Sequence, residues 1–398
     1  MAQDIEWTKK SSGWVATISY SQSSDQLQEL RIRDFLGDID LIGTDQGDAV
    51  VVVEFNSNEM NRERAEKHFE QVRPEFSQTA NGLLIETPQK RRWFLNIDYN
   101  FELEAHLPKT CRIDAGTMGG DVSATAFTAD VDIATSGGDL DVTDIFGDVD
   151  LATSGGDIDL AKITGDVSAS TSGGDIEIAT IKGNVEVATS GGEIEAEDVI
   201  GDLEASTSGG DVLVRHLKVE HLDLATSGGD MEGIDVEVDR GAEFTTSGGD
   251  VILHDCTGEF ELATHGGDLE ATDHKGMLVL TTSAGDISVE ELNGGISAKV
   301  GHGSIDVSVA KNASTEFRAF ELNTGNGDIT LVLPADFKAF IEATVSNAWD
   351  DDDSIISDFP LKITQLGRNG FQATGDLNGG GLPIELISSG GEIEIRKR

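Results

Sequence analysis

The strongest constraint on this chain is one phrase that returns at a fixed interval. Thr-Ser-Gly-Gly, then an acid, then an apolar residue, places its acid at Asp139, Asp157, Asp175, Glu193 and Asp211, eighteen residues apart each time. After two small slips the phrase resumes, with minor variation, at Asp230, Asp250, Asp268 and Asp286. A weaker echo, usually Gly followed by an acid, sits between these at Asp130, Asp148, Asp166, Asn184 and Asp202. The true step is therefore nine residues, and two unlike nines make one unit. A period this short and regular signals a solenoid, in which each unit buries its apolar side only by stacking on its neighbours.

Within one unit the apolar residues alternate with polar ones. Val149 and Leu151 are separated by acids, as are Ile158 and Leu160, and strict alternation marks a half-buried strand. Glycines punctuate the strand ends, where the chain must turn. A third inward column alternates between Phe127, Ile145, Ile163, Ile181 and Val199 in one half and Thr135, Thr153, Thr171, Thr189 and Thr207 in the other. The expected fold is all-β: a single-stranded parallel β-helix or β-solenoid with 18-residue coils and about two main strands per coil. Stacked at roughly 4.8 Å, about ten coils would give a rod on the order of 50 Å. Parallel crossovers favour the right hand. A three-sided left-handed helix built on hexapeptides is the alternative, and the nine-residue step disfavours it.

The rest of the chain reads as ends for this solenoid. Residues 1–116 are expected to form strands and a cap, with a helix from Asn58 to Phe76 that Asn58 caps and Pro74 closes; such a cover protects an open solenoid end. Residues 117–310 form the regular coils, and residues 311–398 form irregular coils and closing strands. Lys90-Arg91-Arg92-Trp93 is the one basic cluster and reads as a turn between strands. Asp350 to Asp353 form an acidic run within a longer inserted loop.

Charge narrows the partners. The net charge is −46, which opposes binding to nucleic acid or an anionic membrane surface. No apolar run approaches the ~20 residues that a membrane-spanning helix needs. A protein or glycan partner is expected, with homo-oligomers through solenoid ends or faces as a further expectation. Export to the periplasm or outside the cell, with a leader lost, is expected over a cytoplasmic location.

The candidate sites are few. Asp139, Asp157, Asp175 and Asp211, with Glu193 among them, should stack in one acidic column, and Asp141, Asp159, Glu177 and Glu195 in a neighbouring outward one. Unit charges ~4.8 Å apart repel by roughly 1 kcal/mol in water, so calcium could relieve the column. Calcium-binding β-rolls also step by nine residues, although their Gly-Gly-x-Gly-x-Asp spacing is not found here. The competing expectation is that the first acid of each strand hydrogen-bonds turn amides. Cys256 and His274, eighteen apart, should meet in adjacent coils near His254, and a Cys/His pair can hold zinc; a tolerated corner defect is the plainer reading. His265 and His302 suggest no geometry. The threonine column invites an ice-binding reading, against which buried hydroxyls bonding along the column are expected. Uniform acidic ladders offer no single tuned pair of the kind catalysis needs, so no catalytic residue is assigned.

The order of motifs resembles a known family. A Gly-Asp-Ile-Asp strand, a helix, a Leu-Pro strand, the Thr-Ser-Gly-Gly-Asp coils, Leu-Pro-Ala-Asp-Phe and a closing Gly-Gly-Gly-Leu-Pro-Ile-Glu-Leu occur in sequence. The matching stretches are residues 36–53, 103–121, the coils, 327–346 and 379–395. This order looks like the bacterial "putative adhesin" family, a β-solenoid domain of unknown function. The resemblance implies a β-helical fold, bacterial origin and frequent export or membrane attachment, and it brings no catalytic residues or cofactor. This chain differs in its extreme acidity. The expected function is a non-enzymatic β-solenoid scaffold or adhesin-like surface protein. The alternatives are a calcium-stabilised extracellular acidic rod and a carbohydrate-binding or carbohydrate-active β-helix.

Overall fold

The structure is a computed structural model that describes residues 4–45, 47–88, 99–311, 313, 319–347 and 354–398. The basic cluster at Lys90–Trp93 and the acidic run at Asp350–Asp353 lie outside the described residues. Among those described, strands dominate and a single α-helix occurs, so the fold is the all-β solenoid expected. Two compact units divide the chain, Met1–Gly192 and Glu193–Arg398.

In the first unit each 18-residue coil contributes one long and one short strand. The long strands Val122–Phe127, Leu140–Phe146, Ile158–Thr164 and Ile176–Lys182 stack in parallel, each residue over the one eighteen before it. The short strands Val131–Ala134, Val149–Ala152, Val167–Ser170 and Val185–Ala188 do the same. Alternate residues point inward: Leu140, Val142 and Ile145 are buried, as are Val149 and Leu151. A period of two cannot place both Val142 and Ile145 inside, because they are three apart. The chain resolves this with one left-handed residue per coil. Ala126, Asp144, Lys162 and Thr180 have φ of 68°, 58°, 57° and 62°, and each turns the next residue back into the core.

The Gly37–Thr44 strand forms half a repeat. It pairs in parallel with Val122–Phe127, Ile39 against Val122, across 83 residues of sequence. The strands before the coils then change direction. Gly37–Thr44 lies parallel to Tyr99–Pro108, which is antiparallel to Ala49–Ser57. Next come Gly13–Gln22 and Asp4–Lys10, both antiparallel. The helix α1 (Arg62–Val72) lies against this meander. It buries Ala65, Phe69 and Val72, with the Phe69 ring 5.6 Å from Trp7 and 5.3 Å from Phe55. Its cap is Asn61, whose side chain accepts the Arg64 N–H at 3.1 Å, and not Asn58 as expected. The reason is local: Ser57 Oγ accepts the Glu59 N–H and Glu59 Oε1 accepts the Asn61 N–H. These bonds hold residues 57–61 in a turn, so the helix starts one turn later.

The second unit repeats the two stacks and absorbs two insertions. The phrase acids Asp211, Asp230 and Asp250 are nineteen and twenty residues apart. The extra residues appear as bulges in Lys218–Ala225 and Glu237–Thr245, where register shifts between Val219 and His221 and between Glu237 and Ala242. The phrase column itself stays in register. Beyond Ile329–Leu333 the coil partner is Ile393–Lys397, 64 residues on. The intervening segment adds Ala339–Val345, parallel to Leu382–Ser388, then Gly370–Leu377 and Lys362–Leu366, both antiparallel.

Candidate functional site

The repeated phrase explains itself atom by atom. In one coil, Thr153 Oγ1 donates to the Gly138 carbonyl of the preceding coil at 3.0 Å. It accepts the Gly156 N–H of its own turn at 3.3 Å. Asp157 then offers its N–H to Asp139 Oδ1 at 2.9 Å, and Asp175 offers its own to Asp157 Oδ1 at 2.8 Å. The second glycine sits against the coil below. A Cβ on Gly156 would lie 1.9 Å from the Gly138 carbonyl oxygen, whereas on Gly155 it would meet nothing nearer than 3.9 Å. The weaker echo uses the same bond: Asp166 N–H to Asp148 Oδ1 at 3.0 Å and Asn184 N–H to Asp166 Oδ1 at 2.9 Å. In the second unit the phrase chain runs through Asp211, Asp230, Asp250, Asp268 and Asp286 at 2.7–2.8 Å. The column acids are thus the turn-amide acceptors that the Asp-after-Gly pattern suggested, and the threonine hydroxyls bond along their column.

Asp139, Asp157 and Asp175, named as calcium candidates, therefore stand in one row, each tied through Oδ1 or its own N–H. Asp211 stands in the corresponding row of the second unit. The neighbouring outward row accumulates charge. Asp159 is pushed above the usual carboxylate range, first by partial burial and then by Glu177, Asp141, Asp157 and Asp139 around it. Asp132 is raised in the same way, by burial and by Asp114 and Asp150, against the opposing pull of Arg33 and Arg112.

The rows of Asp139 and Asp159 continue into a recess of about 500 Å³ in the first unit. Asp38, Asp40, Glu54, Glu102, Glu104, Asp121, Asp139, Asp141 and Asp159 all line it. Pairing puts Asp38 beside Glu102 and Asp40 beside Glu104, while Glu54 faces Glu102 from the antiparallel side. Polar neighbours temper part of this charge: Lys10 lies 3.6 Å from Glu54, His106 2.8 Å from Glu104, and Asn56 donates to Glu102 at 3.2 Å. Sequence reading missed this recess. The alternating acids of Asp38-Ile39-Asp40 and Glu102-Leu103-Glu104 were visible, but their meeting depends on a pairing across 64 residues. Among the described residues, no group of three or more His, Cys, Asp or Glu is arranged to hold a metal ion.

Cys256 and His274 occupy equivalent positions in adjacent coils, where the Lys275 N–H donates to the Cys256 carbonyl at 2.9 Å. Both are buried. The Cys256 thiol donates to the carbonyls of His254 at 3.3 Å and Gly233 at 3.5 Å, and burial pushes its pKa up to about 11. The His274 ring lies edge-on to Phe260 at 5.3 Å, and neither nitrogen has a hydrogen-bond partner. Burial pulls its pKa down to about 4; the Gly258 backbone beside it opposes that pull without reaching hydrogen-bond geometry. His265 and His302 are exposed on separate turns. Cys111 is buried likewise, its pKa pushed up to about 12. Among the described residues, no helix is long and apolar enough to cross a membrane.

Comparison with known proteins bears on the fold more than on the chemistry. A solved structure described as a putative cell adhesion protein from Clostridium sporogenes aligns with 96% of this chain and 99% of its own, at 8% identity and a TM-score of 0.18, too weak to carry an argument. No curated protein matches the chain. Residues 196–353 match the family model described as Toastrack DUF4097, a domain of unknown function, and the described residues of this segment have the β-solenoid fold.

Proposed function

We propose that this chain is a non-enzymatic β-solenoid scaffold that presents an adhesin-like interaction surface to a protein or glycan partner. The observation that supports this reading is where the repeated polar atoms go. The phrase threonines and acids, the groups a catalytic reading would draw on, are engaged in bonds from coil to coil. What remains outward includes acidic rows repeated over several coils, such as Asp141, Asp159 and Glu177, which suits display over chemistry. The immobilised chain, tested on a glycan array and on a panel of cationic proteins, should retain a partner in a salt-sensitive way. Turnover of any member of a polysaccharide panel, lost on replacing a single acid, would sink the reading.

A second reading, a cation-stabilised acidic surface, draws support from the like-charge rows around Asp159 and Asp132. Calcium should then raise the melting temperature well beyond sodium at equal ionic strength. Equal shifts from the two salts reduce the effect to screening.

A further inference from the structure

We propose that Lys362–Leu366 pairs edge to edge with the same strand of a second copy of this chain, extending the sheet across a two-fold axis. This goes beyond the scaffold reading and does not depend on it. Three observations carry it.

The strand is an open edge. Among the described residues Lys362–Leu366 pairs only with Gly370–Leu377, on one side. All five of its residues are exposed, including Ile363 at 48% and Leu366 at 44%. Such a row of backbone donors and acceptors is a template for another strand.

Charge marks where two copies can meet. Two copies at −46 each repel over most of their surface. Between Asp358 and Asp376 the chain holds no carboxylate, and it carries Lys362 and Arg368. This hairpin is therefore a place where two such bodies can approach without opposing acids.

Register completes the argument. In antiparallel self-pairing centred on Thr364, Lys362 faces Leu366 of the partner subunit and Ile363 faces the partner's Gln365. No like charges stand opposite, a condition that cross-strand pairing requires. A five-residue edge buries little area, so the dimer is weak and reversible, at the low end of specific interfaces (below about 1,200 Å²).

Sedimentation velocity on the full chain over a concentration series tests the proposal. The wild type should show reversible dimerisation. Thr364→Asp places two carboxylates face to face and should weaken the dimer at least about tenfold, whereas Thr364→Asn should leave it unchanged. Leu366→Asp meets the partner's Lys362 in this register and should match or tighten the wild type. A wild type that stays monomeric throughout overturns the proposal. So does a dimer indifferent to Thr364→Asp, or one that Leu366→Asp weakens equally. Should Thr364→Asp disturb the melt, Thr364→Cys decides: mild oxidation should give a disulfide-linked dimer, since Cys111 and Cys256 are buried. Failure to cross-link would then refute the pairing.

Discussion

Each coil of the first unit turns at two corners that are built in opposite ways. The phrase corner, Thr153 to Asp157, is made by side chains: a hydroxyl that bonds twice, a carboxylate that accepts from the next coil, and a glycine with no room for Cβ. The second corner, at Ala126, Asp144, Lys162 and Thr180, bends through one residue with φ near +60°, just ahead of the echo turn where Asp148 and Asp166 repeat the carboxylate bond. The first repeats almost letter for letter. The second accepts Ala, Asp, Lys and Thr, and in the second unit His216 and Glu291 as well. Repetition in this sequence is strict where a side-chain atom is bonded or excluded, and loose where only a torsion is needed.

The sharpest way to break the comparison is at the two glycines of one phrase. Gly156→Ala should cost about 3 kcal/mol or more, because its Cβ meets a backbone carbonyl that cannot swing aside. Gly155→Ala should stay within about 0.5 kcal/mol; the chain itself carries Ala284 at the matching place. Denaturant titration of both variants reads the difference, and equal losses would erase the distinction between the two positions.

His274 tests the limits of the loose corner, since it directly follows the left-handed Asp273 (φ 56°) and points inward. Its folded pKa is about 4, against 6.5 unfolded. Its contribution is therefore complete above about pH 6.5 and shrinks as pH falls towards 4, because only the unfolded chain gains the proton. The full loss is roughly 3 kcal/mol. The stability difference between wild type and His274→Leu should change by that amount across this window, and a flat difference would show the ring to be solvated.

Thr153→Val removes both bonds of one hydroxyl while keeping its shape, and should cost about 1–3 kcal/mol. At the other corner, Thr180→Asn should stabilise by about 1 kcal/mol, because a β-branched residue resists positive φ and asparagine tolerates it. Opposite signs from two threonine replacements would confirm that the corners obey different rules.

The smallest effect belongs to the acidic rows. Asp159→Asn should gain about 0.5 kcal/mol at neutral pH by relieving like charges on neighbouring strands. The raised pKa of Asp159 means that protonation favours the folded chain, so this gain should fade as pH drops through that raised value.

Much of the fold was legible because the repeat forces it. An eighteen-residue period with alternating apolar positions can bury its core only by stacking, and the columns Val149 and Ile158 are where that logic puts them. The left-handed corner was not legible, since Asp144, Lys162 and Thr180 share a torsion and no chemistry. The Asn61 cap was obscured because Asn58 offers the same side chain three residues earlier, and only the turn at Ser57–Asn61 separates them. Of the candidate residues, the aspartate rows were predicted in place. The recess that joins them to Glu54, Glu102 and Glu104 was not, for it arises where the distant strands Gly37–Thr44, Ala49–Ser57 and Tyr99–Pro108 pair.

The sequence by itself determined the coil, its two stacked strands and the turn-amide role of the phrase acids, because periodicity and local turn chemistry act over a few residues. Only the tertiary structure decided how the ends close. There the period lapses, and the antiparallel partners Tyr99–Pro108 and Lys362–Leu366 take positions set by long-range pairing that no local pattern encodes.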